Sequence, residues 1–159
     1  MVEGCLEPDG TMPSFKTTRI VRHGAAQMFD LVADVEAYPQ FLPLCTGLRV
    51  RRRVASGEGV ETIVAEMQVG YKAIRETFTS RVTIDRPRLR IMVEYVDGPF
   101  SHLENQWTFI DRETGCDVGF AITYEFASRT LGLLMGAMFD SAFRRFAEAF
   151  EKRADEIYG

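Results

Sequence analysis

The sequence predicts an α+β domain in which a curved antiparallel sheet of about seven strands wraps one long C-terminal helix, with two short helices after the first strand. Three observations predict it. Residues 48–126 fall into short runs of alternating polar and apolar residues separated by tight turns. An apolar stripe at steps of three and four then runs from Leu131 to Phe150. The length, 159 residues with 46% hydrophobic and 26% charged, suits one soluble domain that needs no disulfide or metal to fold.

Each element follows from its residues. Residues 1–13, with Pro8, Gly10, Pro13 and three acids, read as a flexible tail rather than a signal peptide, with Met12 an alternative start; residues 14–159 read as the single domain. Phe15 to Arg22 is a β-rich run ended by His23-Gly24. Met28, Phe29, Leu31, Val32 and Val35 are spaced for a short helix, and Pro39 and Pro43 leave room for about one further helical turn. Leu48, Val50 and Val54 alternate with arginines. Ile63, Ala65, Met67 and Val69 then give the inward face of the next strand, and Ile74, Phe78, Val82 and Ile84 that of its successor. Leu89, Ile91, Val93 and Tyr95 follow, then Leu103, Asn105, Trp107 and Phe109, then Val118, Phe120, Ile122, Tyr124 and Phe126. The turns fall at Gly57–Gly59, Gly70–Lys72, Asp85–Pro87, Asp97–Pro99 and Asp111–Gly115.

Ser128 or Thr130 caps the long helix. Its inward stripe is Leu131, Met135, Met138, Ala142, Phe146 and Phe150, widened by Phe139 and Phe143. The start of this helix, Leu131 to Phe139, is apolar all round, which suits a cavity mouth touching a lipid-like molecule or a membrane. Gly132 and Gly136 read as positions where the sheet approaches the helix backbone. This order is the helix-grip plan, whose curved sheet leaves a cavity against the helix.

Composition narrows the chemistry. A net charge of −4 argues against a DNA-coating protein. Cys5, Cys45 and Cys116 form no CxxC pair, and with only His23 and His102 beside them they support neither a zinc site nor a disulfide framework; they read as free thiols in a reducing cytoplasm. No catalytic motif is present, and no uncharged stretch is long enough to span a membrane. Asn105 shares the inward face with Trp107 and must be hydrogen-bonded, to protein or to a ligand. Arg49, Arg51, Arg52 and Arg53 read either as charges protecting an edge strand or as contacts to anionic lipid heads or ribosomal RNA. Twelve Phe, seven Met and five Tyr load the chain with aromatic and flexible apolar side chains, adaptable to an irregular ligand.

Two segments carry a resemblance. Val32-Ala33-Asp34-Val35-Glu36-Ala37-Tyr38-Pro39-Gln40-Phe41-Leu42-Pro43-Leu44-Cys45 resembles the VxDVxxYPxFLPxC segment of the coenzyme Q-binding START-domain family, and Gly98 to Phe109 resembles its GPFxxLxNxWxF segment. Leu44 replaces an aromatic residue and Ser101 a basic one. The resemblance implies a START-like, lipid-binding domain without catalytic residues, metal or cofactor, whose ligand is ubiquinone or a related isoprenoid quinone and whose role supports respiration. The same family includes ribosome association toxins that bind the large ribosomal subunit and block subunit joining, and its superfamily holds polyketide cyclases and aromatases; both are alternative readings. The expected place is the cytoplasm, with peripheral contact at the inner membrane left open. The quinone tail is expected against Tyr95, Leu103, Trp107, Phe109, Phe120 and Tyr124 of the sheet and Met135, Met138 and Phe139 of the helix. Phe100 and Asn105 join them, and Phe41 and Leu44 form the mouth.

Overall fold

A computed structural model describes residues 13–159; the predicted tail up to Met12, with Cys5, lies outside the described residues. Seven strands form one antiparallel sheet: β1 Ser14–Val21, β2 Cys45–Gly57, β3 Val60–Tyr71, β4 Ile74–Asp85, β5 Arg90–Asp97, β6 Phe100–Arg112 and β7 Gly115–Phe126. Their order is β1-β7-β6-β5-β4-β3-β2. Hairpins join β2 to β7 in sequence, and β1 returns to pair with β7, so β1 and β2 are the edges. Bulges in β2, at Val96 of β5 opposite Thr79 and Ser80, and near Phe100 bend the sheet, because an extra residue on one strand kinks it. Two turns need glycine. A Cβ on Gly98 (φ +143°) would lie 2.5 Å from the Phe78 Cβ, and one on Gly115 (φ +156°) 1.9 Å from the Val21 carbonyl oxygen.

The two short helices form where expected. Helix α1, Ala25–Ala33, buries Ala25, Met28, Phe29, Leu31 and Val32. The Ala25 N–H donates to Asp111 at 2.9 Å, tying the helix start to the end of β6. A 3-10 turn, Val35–Gln40, follows and contains Pro39.

The predicted single C-terminal helix is interrupted. Helix α2, Arg129–Arg144, ends at Arg145 (φ −106°, ψ 1°), whose N–H bonds back to the Ala142 carbonyl at 3.0 Å, and α3, Phe146–Tyr158, resumes at once. The two halves have different partners: α2 lies on β7, whereas α3 packs on α1 and β1. A break lets each follow its own part of the curved sheet. The apolar stripe survives it, with Met135, Ala142 and Phe150 all buried. Ser128 caps α2, its side chain accepting from the Leu131 N–H at 3.0 Å. His23 meets Asp155 at 2.7 Å and Arg22 reaches the same carboxylate at 3.2 Å, holding α3 over the β1–α1 junction.

Two smaller expectations are corrected. A Cβ at Gly136 would meet nothing within 4 Å, so the sheet does not approach the helix there, whereas one at Gly132 would be in ordinary contact, 3.8 Å, with Phe126 at the end of β7. Leu89 lies outside β5 in a turn, at φ +51°, because the chain must reverse after Pro87 before it can enter the strand.

Candidate functional site

Side chains of one sheet face and the C-terminal helices enclose a cavity of about 80 Å³. That is several times the ~10–15 Å³ one water requires. The 3-10 turn and the loop after it contribute Val35, Tyr38, Leu42, Pro43 and Leu44. Strands β2 and β3 supply Leu48, Ala65, Met67 and Val69; β4 supplies Phe78, Ser80 and Val82. Val93, Leu103, Asn105, Trp107 and Ile122 form the floor, and Phe139, Ala142, Phe143, Phe146 and Phe150 the helical roof. Leu44, Leu48 and Met67 are only half-buried, on the side where β2 ends the sheet.

Among the described residues the lining carries no carboxylate, lysine, arginine or histidine. Its one phenol, Tyr38, donates to the Val32 carbonyl, and burial pushes its pKa far above the ordinary tyrosine range. Nothing on these walls exchanges a proton near neutrality. Two buried polar side chains interrupt the apolar surface, Ser80 at 7% exposure and Asn105 at 8%. The Asn105 Nδ2 donates to the Ala121 carbonyl at 2.9 Å, which answers in part the question left open by the sequence. Leu44 holds a left-handed φ of +69°, unusual for a bulky side chain, and its carbonyl accepts from the Gly70 N–H at 3.0 Å. The loop that closes this side is therefore pinned to β3 in a conformation that costs about 1–3 kcal/mol.

Five of the residues expected to line the cavity do so: Leu44, Leu103, Asn105, Trp107 and Phe139. The structure places the other eight elsewhere. Phe109 lies edge-on to Phe29 of α1 at 5.8 Å, and Phe120 sits among Phe15, Trp107 and Phe146. Phe100 stacks on Phe126 at 4.9 Å behind Phe78 and Phe139, and its N–H donates to the Tyr95 hydroxyl at 3.2 Å. Tyr124 packs edge-on to Phe143, and its burial raises its pKa to about 12. Phe41 lies behind Tyr38 and Phe150, under the Arg153 guanidinium. Met135 is in the core and Met138 is half-buried against it; neither reaches the cavity. The common cause is that these inward positions find aromatic or core partners instead of free space.

The sequence reading missed the walls given by the 3-10 turn, β3 and β4. A signal for Ser80 existed: it stands between Phe78 and Val82 at a spacing of two, so alternation turns its hydroxyl inward.

The arginine run lies on the edge strand β2. Arg49 and Arg51 both approach Glu66, at 3.4 and 3.5 Å, and Arg53 meets Glu61 at 3.0 Å. Cys45 and Cys116 are free and buried, each with its thiol pKa raised by burial to about 11. Among the described residues no group of His, Cys, Asp and Glu could hold a metal ion, and no helix is long and apolar enough to cross a membrane.

Comparison with known proteins gives three kinds of match. Residues 21–151 match the family described as polyketide cyclase/dehydrase and lipid transport. The ribosome association toxin RatA of Rickettsia prowazekii is 36% identical over 149 residues, covering 92% of this chain and 99% of that protein. The mitochondrial coenzyme Q-binding protein COQ10 homolog B of Xenopus laevis is 31% identical over 150 residues, covering 91% of this chain and 59% of that protein. The solution structure of the 18 kDa protein CC1736 from Caulobacter crescentus matches with a TM-score of 0.75 at 36% identity, covering 92% and 98% of the two chains.

Proposed function

The chain belongs to the polyketide cyclase/dehydrase and lipid transport family, and from that premise we propose that it binds an isoprenoid quinone or similar lipid without catalysis, as a carrier or chaperone that supports respiratory electron transport. The observation that carries this reading is the cavity, enclosed between sheet and helices, apolar, and lined by no charged side chain. Ten buried tail carbons at ~0.8 kcal/mol each supply about 8 kcal/mol, the scale of micromolar binding before ordering costs. No charged contact is required. The lumen is smaller than a prenylated ring, so uptake moves the half-buried rim of Leu44, Leu48 and Met67; methionine repacks readily around irregular apolar groups. Cyclase chemistry would require a proton donor or acceptor on these walls, and the engaged Tyr38 phenol is a poor candidate.

Delivery from a bilayer fits the start of α2, where Leu133 and Leu134 stand 82% and 65% exposed. Purification from a quinone-rich host, lipid extraction and mass spectrometry test the reading. Co-purified quinone is the expected result; extracts without any prenyl lipid, from protein that also takes up none added, would overturn it.

A second reading is binding to the large ribosomal subunit, favoured by the relative named ribosome association toxin, whose match spans nearly its whole length. The exposed arginines of β2 would face the RNA, although three of them already have carboxylate partners. Sucrose-gradient profiles after overexpression decide it: an unchanged ratio of whole ribosomes to free subunits removes this reading.

A further inference from the structure

The polar end of the cavity has a directional preference. Asn105 lies in the middle of β6, opposite Val93 of β5 and Ile122 of β7. Its bond to the Ala121 carbonyl settles which way the amide faces, because only the nitrogen end can donate to a carbonyl. The Oδ1 atom is then left at the cavity with no donor from the described residues. Ser80, on β4, lines the cavity too, and its hydroxyl has no hydrogen-bond partner among the described residues. The Oδ1 atom keeps a little accessible surface within a residue only 8% exposed, so water reaching the cavity wall is its natural donor before a ligand binds.

A ligand that displaces such water must replace its hydrogen bond or lose affinity. A quinone ring offers acceptors alone. It could accept from the Ser80 hydroxyl or the second Asn105 N–H, but it leaves Oδ1 unsatisfied and sets two carbonyl oxygens against each other. A hydroxyl donates to Oδ1 and still accepts from the other two groups.

We propose that this cavity prefers a lipid whose ring carries a hydrogen-bond-donating hydroxyl, a hydroquinone or a phenol, over the corresponding quinone. The inference rests on the lipid-binding reading above and specifies the head group that this site takes.

Isothermal titration of the intact protein under argon tests it, with three probes: decylubiquinol, decylubiquinone, and the 1,4-dimethyl ether of decylubiquinol. The quinol is expected to bind about tenfold or more tightly than either of the others, the size of effect that one unsatisfied buried acceptor produces. Asn105→Leu, close in shape, should bring the quinol down to the affinity of the quinone. Equal affinity for all three probes would overturn the preference and leave the lipid-binding reading standing. Binding of none would overturn both. A preference that persists in folded Asn105→Leu would refute the assignment to this amide. The dimethyl ether removes the donor from the ligand side, so the test holds even where the variant fails to fold.

Discussion

Filling the cavity should make the protein more stable and less able to bind lipid, and Ala65→Leu is the substitution to make. Ala65 is buried in the middle of β3, opposite Val50 of β2 and Ser80 of β4, and its methyl lines the cavity. Two routes give the size of the effect. A void of about 80 Å³, at ~24 cal/mol per Å³, costs the folded state about 2 kcal/mol. Three added methylene equivalents, at ~0.8 kcal/mol each, supply about 2.4 kcal/mol if they fit without strain. The expected gain is therefore about 1–2 kcal/mol, or about 2–8 °C in Tm for a domain of this size. Urea unfolding followed by circular dichroism measures it, and uptake of a short-chain quinone measures the loss of binding. A destabilisation of ~1–3 kcal/mol would mean that the space is already filled and the core overpacked. Stabilisation with undiminished lipid uptake would refute the reasoning differently, by placing the ligand outside this cavity.

Trp107→Ala should cost about 3–5 kcal/mol, because the indole packs on Phe120 at 4.7 Å and Phe150 at 5.1 Å besides facing the cavity, whereas Trp107→Phe should fold and retain lipid weakly; chemical denaturation and lipid extraction read the two effects, and full retention in both variants would dismiss the indole as a contact. Cys45 and Cys116, with thiol pKa values near 11, should resist iodoacetamide at pH 8 in the folded protein and react quickly in urea, as peptide mapping by mass spectrometry will show; rapid folded-state labelling of either would contradict their burial. The hydrogen bond from His23, with Arg22 beside it, lowers the pKa of the Asp155 carboxyl below its ordinary value of 3.8. A depressed folded-state pKa contributes stability above that ordinary value and loses it as the pH falls through the folded one. Asp155→Asn should therefore lower the Tm at pH 6, with the gap to the parent protein closing in strong acid; a gap independent of pH would refute this linkage. Ser128→Ala should cost ~1 kcal/mol in thermal melts through loss of the α2 cap, and no measurable loss would show that the cap contributes nothing.

The face on which most strand and helix side chains lie was legible from the sequence by itself, with Leu89 in its turn and the exposed Val54 as exceptions. The β6 alternation of Leu103, Asn105, Trp107 and Phe109 is all buried, as its period of two dictates, and the α1 spacing buries Met28, Phe29 and Val32 in the same way. A cap at Ser128 or Thr130 and the Gly98 turn were equally readable, since both depend on local backbone chemistry, and the structure puts the cap at Ser128. Which inward residues border free space was decided by tertiary structure alone. Phe109 and Trp107 share a strand face, yet α1 brings Phe29 onto the first, whereas the second is left partly open beneath the helices. Period fixes a direction across the sheet and carries no information about position along it. The pairing of Arg49 and Arg51 with Glu66, and the helix break at Arg145, have the same origin. A strand's partner and a helix's bend are set by groups far away in the chain, whose approach only the folded packing specifies.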